Sequence, residues 1–206
     1  QVAGVAFAPA DFAAFAAACR VVTHEFEHFD IDTVKRIETL VPTFPATRVL
    51  DIKRNRIAEK TFLSGKGFPV PRFRTFADIR DMRPLIPGDL PLVVKTATGG
   101  YDGKGLRVLR NERDYTSAEA ELHGEIIAEE LVPFSREIST ICGRNAHGDT
   151  SVYPVVENVH RDGILLYTVA PARISAKASE RVRDIVTELA RELDLVGLIV
   201  VEMFLM

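Results

Sequence analysis

The chain has no tryptophan, only two cysteines, no strong excess of charge of either sign and no apolar run longer than a strand. Each shortage excludes something. Two cysteines, Cys19 and Cys142, in 206 residues do not make a disulfide framework; they read as buried thiols of a reducing compartment. With 26 basic residues against 29 acidic ones the net charge is −3. That balance lacks the basic field that a nucleic acid or an anionic membrane surface requires, so neither is an expected partner. The longest apolar run, Val196–Val201, falls far short of the ~20 residues that span a bilayer. No basic segment followed by an apolar stretch opens the chain, so no signal peptide is legible, and the cytoplasm is the expected location. What is present is ordinary for a globular protein: 47% hydrophobic and 27% charged residues, enough for one sizeable core or two small ones. The chain opens on Gln1 and stops at Leu205-Met206 inside an apolar run, which suggests a piece of a longer protein.

The order of elements points to an α/β protein. Val2–Phe7 is strand-like, and a helix follows from Pro9 to Cys19 with Asp11 as its expected cap. Arg20–Phe26 is a β-branched strand candidate. Ile31–Leu40 carries apolar residues at helical spacing. This βαβα opening suits a parallel sheet. The prolines at 42 and 45 break it, and a domain boundary is expected near residue 50: residues 1–50 as one unit, 51–206 as a mixed second unit. In the second unit Lys53–Lys66 reads as one helix ended by Gly65 and Gly67. Phe73–Phe76, Pro91–Thr96 and Leu106–Leu109 read as strands, Asp78–Leu85 and Asn111–His123 as helices. Four strand-like runs follow in sequence, Glu125–Val132, Glu137–Asn145, Ser151–Asn158 and Ile164–Ile174, and are expected to form a long antiparallel meander. Ser175 opens the longest helix, with Val182, Ile185, Val186, Leu189 and Leu193 on one stripe. Val196–Leu205 closes the chain as a strand.

Several groups of residues carry chemistry. The segment Thr98-Gly99-Gly100-Tyr101-Asp102-Gly103-Lys104-Gly105 holds four glycines between two strands. Backbone amides without side chains close readily over phosphate oxygens, which a plain hairpin does not need. No helix with a Lys-Ser/Thr pair follows, and the loop leads into a strand, so neither the Walker nor the dinucleotide fingerprint applies. Lys95 ends the preceding strand and is a candidate phosphate ligand as a point charge. Arg56 and Lys60 stand four apart on one helix face; taken alone, this reads as a solvated basic face. Glu129, Glu130 and Glu137 lie at strand ends, where carboxylates either accept from adenine or ribose groups or are plain surface acids. Glu202 interrupts an apolar strand, a costly place for a carboxylate unless it is paired or binds a hard cation such as Mg²⁺. His24-Glu25-Phe26-Glu27-His28 matches the H-E-x-x-H zinc-peptidase pattern letter for letter. That mechanism needs both histidines on one helix face. On a strand they lie about 13 Å apart, too far for one zinc ion. Glu25 and Glu27 are better substrate contacts at a strand's C-terminal end.

Taken together, these residues resemble the ATP-grasp superfamily, and within it the ligases that carboxylate aminoimidazole ribonucleotide. The resemblance rests on Thr23–His28, Lys95 with Gly99–Gly105, Glu129–Glu137 with Arg136-Glu137-Ile138-Ser139, Asn158-Val159-His160-Arg161-Asp162-Gly163-Ile164-Leu165, and Val196-Gly197 to Glu202. It implies an α+β ATP-grasp fold with an antiparallel sheet after a partial parallel α/β unit. It also implies roles. Arg56 resembles the early basic ATP contact and Lys95 the phosphate lysine. Gly100, Tyr101, Asp102, Gly103, Lys104, Gly105 and Leu106 resemble the nucleotide lid. Glu129, Glu130, Leu131 and Val132 resemble the adenine hinge, Glu137 the ribose ligand, and His160 a further nucleotide residue. Glu202 resembles the first carboxylate for Mg²⁺, or Mn²⁺ in its place. Tyr101, Asp102, Lys104 and one of Glu25 and Glu27 resemble residues that face the aminoimidazole ribonucleotide and bicarbonate.

Two family features are missing: the opening glycine loop that helps to hold the ribonucleotide, and the downstream Asn-Glu pair that supplies the second metal carboxylate. The implied reaction forms carboxyphosphate from ATP and bicarbonate, which the amine of the ribonucleotide then captures, in an enzyme expected to be a homodimer. Two alternatives stand beside it: nucleotide binding by the piece without turnover, or another ATP-grasp ligase reaction; and, remotely, the zinc peptidase.

Overall fold

Residues 9–24, 30–86, 88–99, 105–161 and 163–206 are described by the structure, a computed structural model. The candidate strand Val2–Phe7 lies outside them. Helix α1 covers Pro9–Ala18, with Asp11 in its first turn. Asp11 is therefore not the cap; its charge sits inside the helix, near the positive end of the dipole. The strand expected over Arg20–Phe26 is described only at β1 (Val22–Thr23), which pairs in parallel with β2 (Thr43–Phe44). Between them runs α2 (Ile31–Glu38), opened by Asp30, whose carboxylate accepts from the Asp32 amide.

The helix expected over Lys53–Lys66 is borne out as α4 (Arg56–Gly65), which starts three residues later because a separate helix, α3 (Thr47–Lys53), ends just before it. Asn55 divides them. Its backbone is extended, and its side-chain oxygen accepts from the amides of Ile57 at 2.8 Å and Ala58 at 3.1 Å. A short amide of this kind competes with helix hydrogen bonds and favours a cap over an interior position.

Two antiparallel sheets follow. Strands β3 (Phe73–Phe76), β4 (Leu92–Thr96), β5 (Leu106–Leu109) and β6 (Ile126–Glu130) form a four-stranded sheet in the order β3-β6-β4-β5. A 3-10 helix at Ile79–Leu85 and α5 (Glu112–Glu119) pack on it. Their core is Ile79, Met82, Val94, Leu109, Tyr115 and Ile126, with their neighbours. Strands β7 (Arg136–Arg144), β8 (Thr150–Val152), β9 (Val156–Arg161), β10 (Ile164–Val169) and β11 (Gly197–Leu205) form the second sheet, in the order β10-β9-β7-β11 with β8 alongside β7.

The expected meander is corrected at two points. Strand β6 leaves it for the first sheet, between β3 and β4. The run Ser151–Asn158 breaks at Tyr153–Val155, where Pro154 has no amide to give to a ladder. Helix α6 (Ala176–Glu192), capped by Ser175, lays Val182, Val186 and Leu189 onto Ile138, Cys142, Val155 and Leu195. Strand β11 alternates: residues 199, 201, 203 and 205 face that core, and Leu198, Val200, Glu202 and Phe204 face outward. Among the described residues no helix is long and apolar enough to cross a membrane.

Leu195 is fully buried at the base of the second core. Leu195→Ala is expected to destabilise the fold by about 2–5 kcal/mol, read as a lower urea midpoint. Leu198→Ala, on the open face, should cost under about 0.5 kcal/mol.

Candidate functional site

The site begins at the ends of β4 and β6. Lys95 stands opposite Ile127, and Val93 opposite Glu129, so Lys95 and Glu129 are diagonal neighbours on one face. The Lys95 ammonium donates to Glu129 Oε2. The other oxygen, Oε1, lies 3.2 Å from Lys60 Nζ, which reaches over from α4. The Glu129 side chain is only 4% exposed, so this carboxylate survives burial because two cations hold it. Burial pushes its carboxyl up, but Lys95 and Lys60 outweigh burial and hold it below the usual carboxylate range. Glu59, the residue before Lys60, goes the other way. Burial pushes it above its ordinary value, and Lys60, Lys53 and Lys95 offset this only in part.

One turn before Lys60, Arg56 opens α4. Its guanidinium Nη1 donates to the carbonyls of Thr96 at 2.8 Å and Gly99 at 2.6 Å. Its own amide donates to the Ala97 carbonyl at 2.8 Å. Arg56 therefore fixes the entrance of the glycine-rich loop. At the loop's exit Gly105, at φ +72°, accepts from the Thr96 amide at 3.0 Å, and Leu106 pairs with Lys95. Gly100, Tyr101, Asp102, Gly103 and Lys104 lie outside the described residues, as do Glu25 and Glu27.

The side chain of Glu130 does not join this cluster. Strand alternation turns it to the other face, where it accepts from the Arg72 amide at 3.0 Å and from Arg72 Nε at 2.8 Å. The hydrogen bond from the Arg72 backbone leads the effects that hold it below the usual range. Leu131 and Val132 begin the link to β7. Its far end is pinned: the Phe134 and Phe204 rings stack at 4.3 Å, and Ser135 donates through its amide and hydroxyl to the Leu205 carbonyl at 2.7 and 2.8 Å.

Beyond the link a second group forms on the outward face of the other sheet. Glu137 stands opposite Asn158 and Phe204, and Glu202 opposite Ser139. His160, two residues beyond Asn158 on the same face, has Nδ1 at 2.8 Å from Glu137 Oε2. Behind them Asn158 donates to Ser139 Oγ and accepts from the Thr168 hydroxyl, each at 2.9 Å. Glu202 is exposed and makes no ion pair among the described residues. No group of three or more His, Cys, Asp or Glu side chains that could hold a metal ion occurs among the described residues. His24 follows β1, and its Nε2 lies 2.9 Å from the Pro45 carbonyl. The rest of the H-E-x-x-H segment, Glu25 to His28, lies outside the described residues.

The predicted residues thus fall into two groups joined by the hinge: Arg56, Lys95, Gly105, Leu106 and Glu129 on one side, Glu137, His160 and Glu202 on the other. Lys60 is the residue that the sequence hides. Its helical spacing from Arg56 is visible, but its partner lies 69 positions away.

Comparison with known proteins gives a consistent picture. Residues 61–206 match the ATP-grasp domain family. An N5-carboxyaminoimidazole ribonucleotide synthase of Bacillus subtilis is 35% identical over 187 residues, covering 90% of this chain and 49% of that protein. A solved N5-carboxyaminoimidazole ribonucleotide synthetase in complex with ADP superposes with a TM-score of 0.85 at 37% identity, over 94% of this chain and 52% of that one. The N5-carboxyaminoimidazole synthase of Aspergillus clavatus, in complex with ADP and 5-aminoimidazole ribonucleotide, gives a TM-score of 0.83 at 25% identity, over 92% and 50%. The chain spans about half the length of the curated relatives it matches.

Glu129→Gln leaves two ammonium groups without their counter-ion and is expected to destabilise the fold by about 1–3 kcal/mol at pH 7. Because the folded carboxyl is held low, the wild-type contribution is present above the ordinary value of 4.5 and is lost as pH falls through the folded value. The difference between the two proteins in denaturant melts should therefore shrink on acidification. Glu59→Gln should do the reverse: it should gain stability at pH 7 and lose that gain below the ordinary value of 4.5, where both states of Glu59 are protonated.

Proposed function

The chain belongs to the ATP-grasp family, and from that premise we propose that the protein of which it forms part carboxylates 5-aminoimidazole ribonucleotide at the expense of ATP. The observation that carries the proposal is the Lys95–Glu129–Lys60 cluster beside the glycine-rich loop. Two ammoniums on one carboxylate leave a net positive charge at the loop that would close over a triphosphate, the setting that phosphoryl transfer requires.

In this reading the bicarbonate oxygen attacks the γ-phosphorus of ATP, ADP departs, and carboxyphosphate forms. The amine of the ribonucleotide then attacks the carboxyl carbon, phosphate departs, and N5-carboxyaminoimidazole ribonucleotide results. This chain's residues act by holding and neutralising. Lys95 meets the phosphates. Arg56 fixes the loop that lies over them, and the loop amides, with Tyr101, Asp102 and Lys104, face phosphate and acceptor. Glu129 to Val132 receive the adenine edge. Glu137, steadied by His160, takes the ribose hydroxyls. Glu25 or Glu27 contacts the aminoimidazole ribonucleotide.

Glu202 fits a hard cation: it is an exposed carboxylate with no ion-pair partner among the described residues, on the same face as Glu137. Mg²⁺ takes one or two carboxylates with phosphate oxygens and supplies charge neutralisation at the transferring phosphoryl group. A unit ending near residue 50, an ATP-grasp unit from residue 51, a homodimer and a cytoplasmic location complete the proposal. The family match beginning at residue 61 supports the division.

The test is ADP formation by the full-length protein with ATP, bicarbonate and aminoimidazole ribonucleotide. Omitting either acceptor should abolish turnover, and Lys95→Ala should lower it by about 10²-fold or more. Unchanged turnover and ATP affinity in Lys95→Ala would remove Lys95 from the site.

A further inference from the structure

The proposed function gives Lys60 no substrate contact, yet among the described residues it is one of two cations on the most deeply buried carboxylate of the site. Its side chain is 21% exposed, close to the 22% of Lys95, while the carboxylate between them is 4% exposed. The two lysines divide the carboxylate: Lys95 takes Oε2 and Lys60 faces Oε1. They also arrive from different elements. Lys95 belongs to the sheet that carries Glu129, whereas Lys60 belongs to α4 and lies one turn beyond Arg56, on the same helix face. A carboxylate held by Lys95 alone would be free to turn about its terminal torsion and carry the ammonium with it. Two cations on its two oxygens remove that freedom.

We propose that Lys60 is a positioning residue of the nucleotide site, which holds Glu129 Oε1 so that Oε2 presents Lys95 to the phosphates. The inference rests on the ATP-binding reading above and adds a residue to it. Lys60 touches no phosphate; it acts through Glu129. It also joins the two devices that α4 brings to the site, since a helix anchored by Lys60 is the same helix whose Arg56 holds the Thr96 and Gly99 carbonyls.

A double-mutant cycle in the full-length protein tests this, with ADP affinity measured by calorimetry for the wild type, Lys60→Met, Glu129→Gln and the double variant. Lys60→Met should raise the ADP Kd by about 10-fold in the wild-type background and by less than about 2-fold in Glu129→Gln, because the residue through which it acts is then gone. Lys60→Arg, which keeps the charge and the pair, should recover most of the affinity. Equal losses in both backgrounds would mean that Lys60 meets the nucleotide itself or acts only as a distant charge, and would overturn the inference. Unchanged affinity in Lys60→Met would overturn it too, while leaving ATP binding intact. A wild-type protein that binds no ADP would instead sink the functional reading on which the inference rests. Should Lys60→Met fail to fold, Lys60→Gln against Lys60→Arg separates charge from packing in the same cycle.

Discussion

One buried carboxylate between two ammonium groups determines how the first half of this site is assembled. A carboxylate in Glu129's place is stable as an ion only with close cations, because desolvation alone would cost it several kcal/mol. The strand neighbour Lys95 supplies one cation, and the other has to come from outside the sheet. The sheet is thereby tied to α4. The helix serves two masters: Phe62 and Leu63 pack against the core of the second sheet, while Lys60 turns to the first. With its register along the sheet fixed in this way, α4 brings its first residue to the loop entrance, where Arg56 occupies carbonyls that an irregular turn would otherwise leave to water.

The second half of the site follows from a different constraint, the two-residue period of a strand. Once β11 turns 199, 201, 203 and 205 onto α6, Glu202 and Phe204 must face outward, and the antiparallel register sets Glu137, Asn158 and His160 on that same side. The link at 131–135 carries the chain from one group to the other. Its Phe134 ring stacks on Phe204, and Ser135 is bonded to the end of β11. The hinge is thus pinned where it meets the second group, so the carboxylates of the two groups are held in one frame rather than joined by a loose tether.

Much of this arrangement is legible in the sequence because it is local. The stripe of α6, the caps Asn111 and Ser175, and the strands around Lys95 and Glu202 depend on periods of 3.6 and 2 and on nearby side chains. The resemblance of the glycine-rich loop and the His160 segment to a family carried the site further than periodicity does. What escaped is non-local or competitive. Asn55 looks like one more helix residue until its side chain takes the amides of Ile57 and Ala58. Strand β6 reads as the start of a meander, since nothing in its own residues says that β3 and β4 will claim both its edges. Lys60 reads as a solvated cation because its partner is set by tertiary packing. Glu130 reads as a second site carboxylate, although strand alternation commits it to Arg72.

The sign of the charge at the first group explains why a carboxylate belongs in the proposed phosphate site at all. Two free lysines side by side would repel each other, sample many rotamers and lose entropy when a phosphate finally fixed them. A carboxylate of fixed position removes that repulsion before any anion arrives and leaves one cation uncompensated. The group therefore presents an ordered positive charge rather than a diffuse one, and an ordered charge needs little reorganisation when negative charge develops beside it. Glu129 is, on the proposed function, less a competitor of the phosphates than the reason that Lys95 is in place to meet them.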